Sequence, residues 1–320
     1  MKKILTAALT ALVLATGAQA AGYPDKPVTN IVPFPPGGST DMLARFMTQK
    51  MAEKLGQPVI VENKPGATGA IGATQVKRAA PDGYTLLTGS IGVWAVNPFL
   101  QKNLAYDPAK DFDLLTVAVR APNILVTNPN VPAKSVGELV AYLKSKQGKV
   151  SFASSGAGSS DHLSIALFWQ QTGTTGIHVP YKGGGPAISD LVAGHAEVSF
   201  QNLNAVIGHI KAGKLKALAT TGDKRSALLP DVPTLAESGY KDAVVYSWQA
   251  IGAPKGLPED VKAKVLDSMM SALKDPDVAK KLTDLGFEIV ASSPKEFALF
   301  LQMELARWKT VIEVGHITLD

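Results

Sequence analysis

Three short stretches of this sequence combine glycine, hydroxyl side chains and the start of a helix, and that combination can hold an anion. They are Gly37-Gly38-Ser39-Thr40, Gly156 to Asp161, and Gly183-Gly184-Gly185. Each follows a short apolar run of β type and opens a helical pattern. A helix starting there presents unpaired backbone N–H groups and the positive end of its dipole. Glycine lets the backbone approach a ligand closely, and serine or threonine hydroxyls add donors. A carboxylate can be bound this way without a lysine or arginine. One helix start contributes ~0.3–1 kcal/mol when exposed and up to ~2 kcal/mol when partly buried, so several must converge. Ser39, Thr40 or Asp41 also suits a plain helix cap; three such loops at like positions favour a ligand.

Other chemistries lack their residues. No G-x-x-x-x-G-K-[ST] occurs, no G-x-G-x-x-G follows a strand, and no G-x-S-x-G elbow is present. His162, His178, His195, His209 and His316 show no H-E-x-x-H or other tight metal spacing. There is no cysteine, hence no thiol nucleophile, disulfide or thiolate site. No catalytic residue, metal or cofactor is expected. A serine of "SSGAGSSDHL" working with His162 is the alternative, a hydrolase, and the missing elbow counts against it. Trp94 and Trp248 are candidates to stack on a ligand, because pockets favour aromatic walls.

The loops need elements to carry them. Leu43, Phe46, Met47, Met51 and Leu55 mark one face of a helix that Gly56 and Pro58 end. Ser135 and Glu138 form a capping-box pattern. Short β-type runs alternate with helical patterns, β-α-β-α twice over, and from Pro258 on the pattern is largely helical. That order predicts an α/β fold of two lobes, each a mostly parallel sheet flanked by helices. Ligands of such sheets bind beyond the carboxyl ends of the strands. The apolar runs Leu114–Val119 and Ile124–Thr127, parted by Ala121-Pro122, suggest a crossing between lobes. The predicted division is 21–121 with 222–320 for a discontinuous first lobe and 122–221 for the second.

Residues 1–20 read as an export leader: Lys2 and Lys3, an apolar run from Ile4 to Thr16, and Ala18-Gln19-Ala20 before a cut after Ala20. A periplasmic, soluble mature chain is expected. The leader's two lysines belong to the formal charge of +5. The remaining basic residues are scattered, which argues against a nucleic-acid surface.

Motif by motif, the chain resembles the Bug family, the extracytoplasmic solute receptors of tripartite tricarboxylate transporters. The matching segments include "YPDKPVTNIVPFPPGGSTDMLAR", "VIVENKPGATGAIGATQVKRAAPDGYTLL", "SFASSGAGSSDHL", "HVPYKGGGPAISDL", "HIKAGKLKALATTGDKR" and "LLPDVPTLAESGY", in order over essentially the whole mature chain. The resemblance implies a two-lobed binding protein (a Venus flytrap) that closes on a small organic carboxylate, delivers it to integral-membrane permease subunits and catalyses nothing. It implies first-lobe contacts at Phe34, Gly38, Ser39, Thr40 and Ser90, and second-lobe contacts at Ser155, Gly158, Ser159, His162, Tyr181 and Gly184. Gln201 and Asn202 end the strand in "VSFQNL" and complete the candidate set. The family often has an acid at the first of these positions; the neutral Gln201 argues for a plain dicarboxylate or an aromatic carboxylate rather than an amino acid. A receptor that signals to a membrane sensor would use the same closure. A monomer is expected.

Overall fold

The computed structural model describes residues 22–315 and 317–318. The leader with its cut after Ala20, and His316, lie outside the described residues. The chain alternates strand and helix. In order, the elements are β1 (Val28–Val32), α1 (Ser39–Leu55), β2 (Val59–Asn63), α2 (Ala70–Lys77), β3 (Thr85–Ser90), α3 (Asn97–Leu100) and β4 (Phe112–Thr127). Then come α4 (Val136–Lys146), β5 (Ser151–Ser154), α5 (Ser160–Thr172), β6 (Ile177–Pro180), α6 (Gly184–Ala193), β7 (Val198–Asn202), α7 (Leu203–Lys211) and β8 (Lys216–Thr220). β9 (Tyr246–Pro254), α8 (Glu259–Lys274), α9 (Pro276–Asp284), β10 (Glu288–Ile289) and α10 (Pro294–Gly315) complete it.

Local chemistry accounts for the helix limits. α1 buries Leu43, Met47 and Met51 and ends where Gly56 turns left-handed at φ 71°, its N–H returning to the Ala52 carbonyl. α4 starts on Ser135, whose hydroxyl accepts from the Glu138 N–H, as the capping-box pattern predicts. No described helix is long and apolar enough to cross a membrane.

The strands run β2-β1-β3-β9-β4-β7-β5-β6, with β10 and β8 both added to β4. β1 pairs in parallel with β2 and β3, and β5 in parallel with β6 and β7. These two parallel sets are the halves that the β-α-β pattern predicts. The strands joining them pair antiparallel: β9 with β3 and β4, and β4 with β7 and β8. The two apolar runs expected as separate strands form one strand of 16 residues, β4. Its first part, to Pro122, pairs with β9, and its last part, from Asn123, pairs with β7. One continuous strand thus crosses between the halves.

Each sheet has an apolar cluster on either face. In the first half, one cluster lies under α2 and α10 and another under α1 and α8. In the second half, one lies under α4 and α5 and another under α6 and α7. The sequence reading gives residues 222–245 to the first lobe. Their packing differs: Leu228 and Leu229 sit against one second-half cluster, and Leu235 and Ala243 are buried in the other. Polar residues around this stretch hide an apolar minority from a periodicity reading. The chain returns at Val245–Tyr246, where β9 begins beside β4. There Arg120 lies over the Tyr246 ring at 4.1 Å and pairs with Glu288 at 2.8 Å.

Candidate ligand-binding site

The start of α1 is held by its own acid. Asp41, 2 % exposed, accepts hydrogen bonds at 2.9 Å from the Gly37 N–H, Arg45 Nε and Asn63 Nδ2. Burial pushes the Asp41 carboxyl up, but these donors outweigh it and hold it below its ordinary range. Gly37 takes φ 87°, a conformation glycine adopts without strain. Gly38 precedes the helix without a side-chain cap. Ser39 is therefore not spent on capping. Its Oγ lies 2.9 Å from Asn202 Oδ1, 3.0 Å from Asn204 Nδ2 and 3.1 Å from Asn204 Oδ1, all in the other half.

The start of α5 is built in the same way. Asp161 is buried and its Oδ2 accepts from the Ser155 N–H at 2.9 Å and from the Ser155 hydroxyl. Here burial dominates, and the carboxyl is pushed up. Ser159 caps the helix, its Oγ accepting from the His162 N–H. His162 Nδ1 accepts from the Gly158 N–H at 3.1 Å, and its ring stacks on His178 at 4.0 Å with an interplanar angle of 1°. Burial, aided by the neighbouring His178, pushes His162 down to about 3, and burial pushes His178 down to about 4. Both rings are neutral at ordinary pH.

The third loop joins the second. A Cβ placed on Gly184, at the start of α6, would stand 3.2 Å from Ser155 Oγ and 3.4 Å from Gln201 Oε1. One placed on Gly156 would stand 3.1 Å from the Tyr181 carbonyl. Opposite them, a Cβ on Gly92 would lie 3.2 Å from the Gly158 carbonyl and 3.8 Å from Ser90 Oγ. Gly158 thus seats against the π-helical turn that follows β3, and a side chain on Gly92 or Gly158 would push against the other half.

The structure brings Ser39, Ser90, Gly158 and Asn202 to one seam between the halves, with Gly38 and Thr40 at the same helix start and Ser155, Gly184 and Gln201 behind it. Phe34 packs on the cluster under α2, its ring tip 3.2 Å from where a Gly69 Cβ would be. Tyr181 spends its hydroxyl on Asp190 at 2.7 Å. Trp94 and Trp248 are placed elsewhere. Both are fully buried in the cluster under α10, edge-on to Phe297, and Trp248 Nε1 donates to Glu304 Oε2 at 2.8 Å. They are core residues rather than cleft walls, because the large apolar area of an indole is better used there.

Sequence reasoning missed the polar residues inside apolar strands. Asn123 of β4, fully buried, donates to Ser164 Oγ at 3.0 Å and accepts from Asn202 Nδ2. Ser160 and Asn204 join the same network. A lone amide before Ile124-Leu125-Val126 was the available signal, since a buried polar side chain in a strand needs partners.

The side-chain hydrogen bonds across this seam are made by hydroxyls and amides, and no groups of three or more acids and histidines are placed to hold a metal among the described residues. Residues 43–316 match the model of the tripartite tricarboxylate transporter family receptor. The chain belongs to that family. It is 38 % identical to Protein BugT of Bordetella pertussis over 93 % of this chain and 92 % of that one. MatC from Rhodopseudomonas palustris with bound malate superposes with a TM-score of 0.85 at 35 % identity, covering 91 % of this chain and all of MatC (100 %). An adipate-bound protein of R. palustris superposes at 0.88 with 34 % identity, over 92 % of this chain and 99 % of that one. Members of the tripartite tricarboxylate receptor family are periplasmic substrate-binding proteins and not enzymes. The hydrolase alternative falls accordingly: His162 Nδ1 faces the Gly158 N–H, not a serine hydroxyl.

Proposed function

We propose that this receptor captures a small dicarboxylate between two lobes and delivers it to a permease of the tripartite tricarboxylate type. The observation carrying the reading is that the start of α1 meets the end of β7 across one seam, where Asn202 also bonds to Ser160 at the start of α5. The hydroxyl of Ser39 reaches Asn202 and Asn204 of the opposite half. Backbone N–H groups at such starts stabilise a carboxylate without a cation. The malate and adipate held by the two R. palustris relatives support a dicarboxylate. The burial of Trp94 and Trp248 removes the aromatic wall that an aromatic acid would favour.

In this reading the contacts are Phe34, Gly38, Ser39, Thr40, Ser90, Ser155, Gly158, Ser159, His162, Tyr181, Gly184, Gln201 and Asn202. The first lobe is residues 22–121 and 246–315, the second lobe 122–245. The crossings at Pro122 and Val245 are the hinge, and the exported protein acts as a monomer. A melting-temperature screen of the mature chain with C4 to C6 dicarboxylates, citrate, aromatic acids and acidic amino acids tests it. Ligand at one hundred times Kd adds ~2.7 kcal/mol, a rise of about 5 °C for a chain of this size. A rise with dicarboxylates is the expected result. No rise with any carboxylate, from protein shown by mass spectrometry to carry no bound acid, overturns the reading.

A further inference from the structure

One face of the first sheet changes character along its length. On the side toward α1, β3 presents Leu86, then Thr88, then Ser90, and β9 presents Ala253, Ile251, Gln249 and Ser247 in the same spatial direction. β1 adds Val28 and then Asn30. The apolar members belong to the core under α1; the polar members end at the seam, where Ser90 faces the second half. These polar side chains are buried: Asn30 is 1 % exposed, Thr88 0 %, Ser247 4 % and Gln249 1 %. Burying four polar residues at the end of an otherwise apolar face is costly unless something pairs with them.

Part of that floor pairs with itself. Thr88 Oγ1 donates to Asn30 Oδ1 at 2.8 Å, and Gln249 Nε2 lies 3.1 Å from Ser247 Oγ. The other end of the Gln249 amide has no partner among the described residues. Gln249 is the ladder partner of Ser90, so the two side chains share one face of the sheet. If the amide is turned over, the Ser247 hydroxyl donates to Oε1, and the two Nε2 hydrogens are left for an acceptor in the cleft.

We infer that Gln249 is a specificity-determining residue that donates to a second, distal carboxylate of the ligand and makes the receptor prefer dicarboxylates to monocarboxylates. The inference rests on the receptor reading above. The helix starts of α5 and α6 take one carboxylate on the second half; Gln249, with Ser90 beside it, takes the other on the first.

The test is calorimetric titration of the mature protein with two chain-matched pairs, succinate against butyrate and adipate against hexanoate. The wild type binds a dicarboxylate more tightly than its matched monocarboxylate. Gln249→Leu weakens that dicarboxylate about tenfold, the loss of a hydrogen bond to a charged group, and changes the monocarboxylate less than about twofold. Gln249→Glu weakens the dicarboxylate further by facing it with a like charge. Gln249→Met, of similar length, serves if the leucine variant does not fold. An unchanged preference in the leucine or methionine variant overturns the inference and leaves the receptor reading intact. Wild-type binding of the monocarboxylates alone overturns the inference and the dicarboxylate part of the receptor reading, and leaves a carboxylate receptor. No wild-type binding of any carboxylate removes both.

Discussion

Ser39 Oγ stands 2.9 Å from Asn202 Oδ1 across 163 positions of sequence, and this hydrogen bond ties the start of α1 to the end of β7. Asn202 passes the tie on, its Nδ2 donating to Asn123 Oδ1 and to Ser160 Oγ. Asn123 belongs to β4, the strand that crosses between the halves. The two halves are therefore latched at the point where one strand runs through both.

Ser39→Ala removes the latch while leaving α1 capped by its Asp41 brace. The expected result is a melting temperature of the free protein lower by about 1–2 °C and a carboxylate affinity lower by about three- to tenfold, the usual worth of one hydrogen bond. Titration of the variant beside Asn204→Ala and the double variant checks it. The losses should fail to add, because both changes break the same contact. Full additivity would show that the latch is not one unit.

Acid should destabilise this fold through its stacked histidines. Both rings have folded-state values below 6.5, at about 3 for His162 and about 4 for His178, because burial disfavours their charged forms. Below pH 6.5 the unfolded chain takes up protons that the folded chain does not, so stability falls as pH falls. The loss runs from pH 6.5 to about 4 for His178 and to about 3 for His162, at about 1.4 kcal/mol per pH unit for each proton. His178 Nε2 lies 2.7 Å from Ser154 Oγ, and His178→Gln, which can keep that hydrogen bond, should flatten this slope. Denaturant titrations at pH 7.5 and 5 measure it.

Asp161 has the opposite sign. Burial raises its folded value above 3.8, so its contribution is most favourable below 3.8 and falls as pH rises through the folded value. Asp161→Asn keeps an oxygen for the Ser155 donors and removes a buried charge. It should raise the melting temperature at pH 7, with the gain shrinking as the pH approaches 3.8. A lower melting temperature at pH 7 would mean that the ionised carboxyl is worth more to the Ser155 loop than its burial costs.

Trp248→Phe should cost about 1–3 kcal/mol by leaving a void and freeing Glu304 of a donor. It should leave the ranking of carboxylates unchanged, since the indole is packed under α10 rather than at the seam. Thermal melts and a ligand panel on the one variant test both statements.

The sequence by itself determined the local pieces. Ser135 with Glu138, and the run from Leu43 to Met51 closed by Gly56, are read from neighbours a few residues apart, and short-range hydrogen bonding and one helical face suffice to fix them. The three glycine loops were legible for the same reason, as strand-to-helix turns. Tertiary structure decided the partners of those pieces. Whether Trp94 faced a ligand or a core depended on Phe112 and Phe297, contributed by distant elements. That 222–245 packs on the second half depended on where four scattered apolar side chains found a surface. The amides Asn123, Asn202 and Gln249 acquired meaning only once β4 and β9 had set the two sheets in register. A hydrogen bond between residues more than a hundred positions apart leaves no periodic trace in the chain, and it forms only when the packing of both halves places its donor and acceptor together.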